Sequence, residues 1–192
     1  MEEIIETAPV KETPKRPNIF VNSIKHGSII AAITVGLTFI MYVFSVSMKT
    51  MGYIQYSFII VIAGGMFMGT KAYRDHHQNG FMTYGRALWS TFSISIVANF
   101  ITSIYTFLFY QFYAPDQLAK VIEQAEQAMI ERNPEMTQEQ LDMAMSMVEK
   151  FTSPILMSLS SFSGSLFFGF LLALIVSIFL KKKDNSFESN FQ

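Results

Sequence analysis

Four side chains have the types that could hold a divalent cation: His26, Asp75, His76 and His77. Neutral imidazoles and a carboxylate suit zinc and similar ions. Neighbouring histidines on a helix point about 100° apart, however, and His26 would have to arrive from another helix. They are therefore read first as hydrogen-bonding groups at a membrane interface, and no metal or cofactor is assigned. Met143, Met145 and Met147 have the spacing of thioether clusters that take copper(I). On a helix Met143 and Met147 share a face and Met145 does not, so they read as pliable seam-fillers. Asn99 lies in a stripe with Thr91, Ser95, Thr102 and Thr106 inside an otherwise apolar run. Such a stripe either bonds across helices or lines a polar path, and the first use is the commoner.

Other chemistries are excluded by what is missing. The chain has no cysteine, which removes disulfides, thiol catalysis and thiolate metal sites. No Gly-rich phosphate loop, nucleophile elbow or triad spacing is present. The long apolar runs carry no Asp, Glu, Lys, Arg or His, the groups that proton relays, ion pumps and intramembrane proteases need near the midplane. An enzyme is not expected. Net charge is −1, so no basic field points to nucleic acid.

The elements that must position these residues are membrane spans. Of the 192 residues, 51% are hydrophobic and 15% charged, a composition suited to a small multi-pass membrane protein. The fold expected is an all-α membrane protein with four transmembrane helices in an antiparallel bundle. The spans fall at about residues 27–48, 53–73, 87–113 and 154–180, each long enough for a hydrocarbon core of ~30 Å. A tight turn at 49–52 joins the first two. Residues 1–17 and 184–192 are polar and read as disordered tails flanking a membrane domain at 18–183. The first span follows too late after its basic residues to be a signal peptide, so it is expected to stay as an anchor.

Small residues recur at fourfold spacing on the spans. The first has Ser28, Ala32 and Gly36, the second Gly65 and Gly69, the fourth Ser161, Ser165, Gly169, Ala173 and Ser177. Small side chains let helix backbones approach, and dispersion then holds them together in lipid. Asn99 is expected to add an interhelical hydrogen bond.

With an even number of spans, both tails and the hinge at 71–86 share one side. That side carries ten Lys or Arg residues and the other four, which places the termini in the cytoplasm and the protein in the cytoplasmic (inner) membrane of a bacterium. Between spans three and four, residues 115–150 form an extracytoplasmic amphipathic helical hairpin. Its first helix has a seam of Leu118, Ile122, Ala125 and Met129. Asn133-Pro134 breaks it. Thr137 and Gln140 form a capping box for the second helix, whose seam is Leu141, Ala144, Val148 and Phe151. Eight acids make the outer faces acidic.

In the hinge, Asn79-Gly80 stops one helix and Thr83 can cap the next. The segment G-F-M-T-Y-G-R-A at 80–87, with two spans before it, an amphipathic insertion after the third and a fourth ending in lysines, resembles the bacterial membrane proteins catalogued as domain-of-unknown-function family 4199. The likeness covers roughly residues 24–182. It implies the same four-span fold and brings no functional residues, because the family has no assigned activity. The function expected is a non-enzymatic interaction or accessory role through the hairpin at 115–150, with the lipid bilayer, a membrane or extracytoplasmic protein and further copies of the chain as partners. The alternative is a small oligomeric transporter or channel with a Ser/Thr/Asn-lined path. A continuous polar cavity around Asn99 would favour the alternative. A dry bundle would favour the first.

Overall fold

A computed structural model describes residues 18–46 and 48–182. The expected tails at 1–17 and 184–192 lie outside the described residues. The described chain is all-helical: α1 Ile19–Val43, α2 Met48–His77, α3 Tyr84–Leu108 with a π-helical turn Phe109–Tyr113, α4 Pro115–Arg132, α5 Gln138–Phe151 and α6 Pro154–Leu180. Among the described residues, α1, α3 with its π turn, and α6 are long and apolar enough to cross a membrane. The 30-residue α2 carries polar residues at both ends.

Local chemistry sets the helix ends. The Asn18 side chain accepts from Phe20 N–H at 3.2 Å, which starts α1 well before residue 27. α1 ends at Val43, and Ser45 takes φ 49° in the link. The expected turn at 49–52 is therefore misplaced: α2 already runs through it. Asn79 at φ 53° and Gly80 at φ 80° reverse the chain after α2. Thr83 has the extended backbone of an N-cap but makes no side-chain cap bond. Thr137 and Gln140 form the reciprocal capping box of α5. Ala114 N–H reaches back to Phe109 O at 2.8 Å, a five-residue step that closes the π turn. That turn buries Phe109 among Tyr42, Tyr105 and Tyr113, at ring centroids 5.0–6.0 Å apart.

α3 is the helix on which α1, α2 and α6 meet. It runs antiparallel to α6. Ser103 faces Ser158, Asn99 faces Ser165, Ser95 faces Gly169 and Thr91 faces Ser177. Past the helix ends, Met82 and Lys182 exchange two backbone hydrogen bonds of 2.9 Å. α2 runs antiparallel to α1, with Gly69 beside His26 and Gly65 beside Ile30. α1 and α3 run in the same direction, since Gly27 sits against Val97 and Tyr42 against Phe109.

The packing face of α1 differs from the expected one. Ser23, Gly27, Ala31 and Thr34 are buried, while Ala32 is exposed and nothing lies within 4 Å of a Cβ built on Gly36. The reason is a close crossing: a Cβ on Gly27 would lie 2.8 Å from Val97 Cβ and 2.9 Å from the Ile94 carbonyl oxygen.

Two layers seal the core near the hinge. The first is Ile30, Met66, Ile94, Ala98 and Ala173. The second is Tyr73, Met82, Ala87, Val176 and Leu180. Buried beside them, Thr91 Oγ1 donates to Ala87 O at 2.7 Å and lies 3.0 Å from Thr70 Oγ1, with Ser177 Oγ at 3.5 Å. Because the Thr91 hydrogen is spent on the backbone, Thr70 and Ser177 must donate to it. Thr91→Val would leave both without an acceptor. It should lower bundle stability in mild detergent by about 1–2 kcal/mol, measured against Thr106→Val as control. An unchanged melting temperature would show that the triad is unimportant.

Candidate functional site

Away from the sealed end, the four long helices spread around a cavity of about 480 Å³. Asn99 stands in its wall. Its Nδ2 donates to Ser95 Oγ at 3.2 Å on α3 and to Ser165 O at 3.0 Å on α6. A backbone carbonyl can only accept, so the amide nitrogen must face Ser165 and the amide oxygen must point elsewhere. Among the described residues nothing donates to that oxygen. Thr34 and Thr38 enter from α1, Thr102 and Ser103 from α3, and Ser161 and Ser165 from α6. Phe58 and Ile62 of α2, with Ile30 and Met41 of α1, make the apolar wall. Tyr110, inside the π turn, lines the cavity as well. No carboxylate, amine or imidazole is among these lining residues.

Most of the hydroxyl hydrogens are already committed. Thr34 donates to Ile30 O or Ala31 O at 3.0 Å, Thr38 to Thr34 O at 2.8 Å, Thr102 to Ala98 O at 2.9 Å and Ser165 to Phe162 O at 3.1 Å. Ser103 and Ser158 each donate to the other's backbone carbonyl, at 3.0 and 3.2 Å, and so clamp α3 to α6. What these groups turn to the cavity is oxygen lone pairs.

The small-residue ladder of α6 divides at this point. Gly169, Ala173 and Ser177 are buried against α3, Ser165 is half-buried, and Ser161 opens into the cavity. Gly65 and Gly69 serve the α1 interface. The four possible metal ligands do not come together. His26 packs against Gly69 and its Nδ1–H donates to Asn22 O at 3.1 Å. His76 and His77 sit at the end of α2, their rings 6.2 Å apart. Asp75 pairs with Arg74 Nε at 2.7 Å, and that hydrogen bond holds its carboxyl below the usual range. Among the described residues no three of His, Asp or Glu gather as a metal site.

The family described as a protein of unknown function, DUF4199, matches residues 25–182. The chain belongs to the DUF4199 family. No curated protein and no solved structure matches it. The DUF4199 segment takes in all of α2–α6 and most of α1, so the whole cavity wall lies within it.

Residue types alone pointed to Asn99, Thr102, Ser161 and Ser165 but passed over Thr34, Thr38 and Ser103. Thr34 and Thr38 are an i, i+4 pair of hydroxyls in an apolar helix, a signal that was available. Ser103 sits one place from the stripe, and only its pairing with Ser158 reveals it.

Proposed function

We propose that this DUF4199 protein is a four-span protein of the bacterial cytoplasmic membrane that binds a small uncharged polar molecule around Asn99, in a vestibule entered from the extracytoplasmic side. The observation that carries this is the polar cavity itself, sealed toward the hinge and lined from three helices by Asn, Ser and Thr. Pockets of a few hundred Å³ with a few convergent polar groups are the usual form of small-molecule sites.

The fourth crossing is supported by direction. α1 and α3 run the same way, so a chain that crosses in both must return between them, and α2 is the helix that lies there. Thirty residues reach about 45 Å at 1.5 Å each. Exposed Ile59, Ile60, Phe67 and Met68 give α2 a lipid-facing side. The ten-to-four distribution of Lys and Arg then supports a cytoplasmic hinge and an outer α4–α5 hairpin.

A second reading keeps the hairpin as an interaction surface. Met143, Met147 and Phe151, at 62, 59 and 67% exposure, form an uncovered apolar stripe along α5.

Single cysteines test the proposal without background, because the chain has none. Thr102→Cys and Ser161→Cys should react with an impermeant maleimide from the hairpin side in spheroplasts. Ser177→Cys should react roughly a hundredfold more slowly, since burial suppresses the thiolate. A neutral polyol or amide that binds should slow the Ser161→Cys reaction. Equal rates at all three positions, or labelling only from the cytoplasmic side, would reject the vestibule.

A further inference from the structure

The Asn99 cavity has a more apolar neighbour. Between α2 and α6 runs a groove of about 640 Å³, walled by Tyr56, Ile59, Phe168, Leu171, Leu172 and Ile175. The two spaces share Phe58, Ile62, Asn99, Ser161 and Ser165, so they join at Asn99. The outer rim of the groove is exposed: Ile59, Phe168, Leu171 and Ile175 all face outward. In a bilayer that rim faces hydrocarbon, while the Asn99 cavity lies toward the hairpin end, from which the proposed site would be entered.

We propose that the ligand is a neutral single-chain amphipath whose headgroup carries hydrogen-bond donors. Its head sits in the Asn99 cavity and its chain lies in the α2–α6 groove. This rests on the vestibule being a binding site, and it names the ligand class.

The chemistry of the walls selects the head. Thr34, Thr38, Thr102 and Ser165 have given their hydrogens to backbone carbonyls, and both Asn99 amide hydrogens are used. Of the described lining hydroxyls only those of Ser161 and Tyr110 keep a free hydrogen, so the walls mostly accept and a ligand must bring most of the hydrogens. A hydroxyl or amide head does so. A phosphate or carboxylate head would meet mostly lone pairs, with no cation among the described lining residues to offset its charge. An ammonium head would find acceptors but no carboxylate, at a depth where an unpaired charge is costly. The groove selects the tail: it is apolar, elongated along two helices and reached sideways from lipid. Gly169 lies at the junction, where a Cβ would land on Ser95 Oγ, so the absence of a side chain keeps Asn99 and Ser95 close to α6.

The test uses the full chain in nanodiscs with a monoacylglycerol bearing a photoreactive diazirine in its acyl chain. Crosslinks should fall on Ile59, Leu172 and Ile175. Unlabelled monoacylglycerol should compete at least about tenfold better than the lysophosphatidic acid of the same chain, because the phosphate brings charge to a wall made mostly of acceptors. Asn99→Leu should abolish that preference. The milder Thr102→Val with Ser161→Ala should reduce it and guards against misfolding of the first variant. Equal competition by the anionic lipid, unchanged in both variants, would mean annular lipid only and overturn the inference. If glycerol protects Ser161→Cys as well as monoacylglycerol does, the amphipath falls and the polar site stands. If no probe protects Ser161→Cys, both fall.

Discussion

Gly169→Leu should separate α6 from α3 and cost about 3 kcal/mol or more, enough to prevent recovery of a folded protein in mild detergent. The expectation rests on contact rather than on composition. A Cβ on Gly169 would land on Ser95 Oγ and lie 3.3 Å from Asn99 Nδ2. Both side chains are held in an interhelical network that cannot move without breaking the bond to Ser165 O. Gly164, five residues earlier on the same helix, has nothing within 4 Å of its Cβ position. Gly164→Leu should therefore change stability by less than about 0.5 kcal/mol. Gly27→Leu and Gly36→Leu repeat the contrast on α1, where the first Cβ meets Val97 and the second meets open space. Thermal unfolding of all four variants, followed by circular dichroism, gives the comparison. Equal losses within each pair would show that helix propensity, not the α1–α3 and α3–α6 crossings, decides stability.

Removal of residues 116–150 with a flexible linker should leave the long helices inserted and folded, and Ser161→Cys should label as before. The two short helices bury little outside their own pair. Leu118 and Leu141 are buried, Ile122, Ala125, Met129, Ala144 and Val148 are half-buried, and the acidic faces are exposed. The hairpin's links to the rest are few, at the π turn and the first turn of α6. Two such short helices are marginal alone, so their stability depends on these anchor points, but the reverse does not hold. Any partner held by the Met143–Met147–Phe151 stripe should be lost on deletion. Failure to recover the deleted protein as a folded bundle would make the hairpin structural. Loss of vestibule labelling would make it part of the cavity entrance.

How much of this was legible depended on whether a residue acts locally. Asn79-Gly80, Asn133-Pro134, and Thr137 with Gln140 each bond or bend within a few residues, and each helix end they predict is where the chain turns. The α4 and α5 seams were legible for a related reason, since in water an apolar stripe on a polar helix must find cover; Phe151 is the exception, expected in the α5 seam but 67% exposed. Within the long helices that rule fails. Lipid is as apolar as a packed interface, so an apolar helix gives no signal of which side faces inward. Ser28, Ala32 and Gly36 have the same spacing as Ser23, Gly27 and Ala31. Only the crossing with Val97 and Ile94 chose the second set. The same limit hid the cavity.

The sequence by itself determined a helical protein of the DUF4199 family with long apolar runs free of Asp, Glu, Lys and Arg, because hydropathy, capping and chain reversal are local properties. The tertiary structure decided that α1 meets α3 along Ser23, Gly27, Ala31 and Thr34, that Thr34, Thr102 and Ser161 from three helices converge on Asn99, and that the Asn99 cavity joins a more apolar groove there. The physical reason is that convergence depends on crossing and rotation of helices. Close backbone approach at Gly27, Gly65, Gly69 and Gly169 sets both, and no spacing along one helix specifies them.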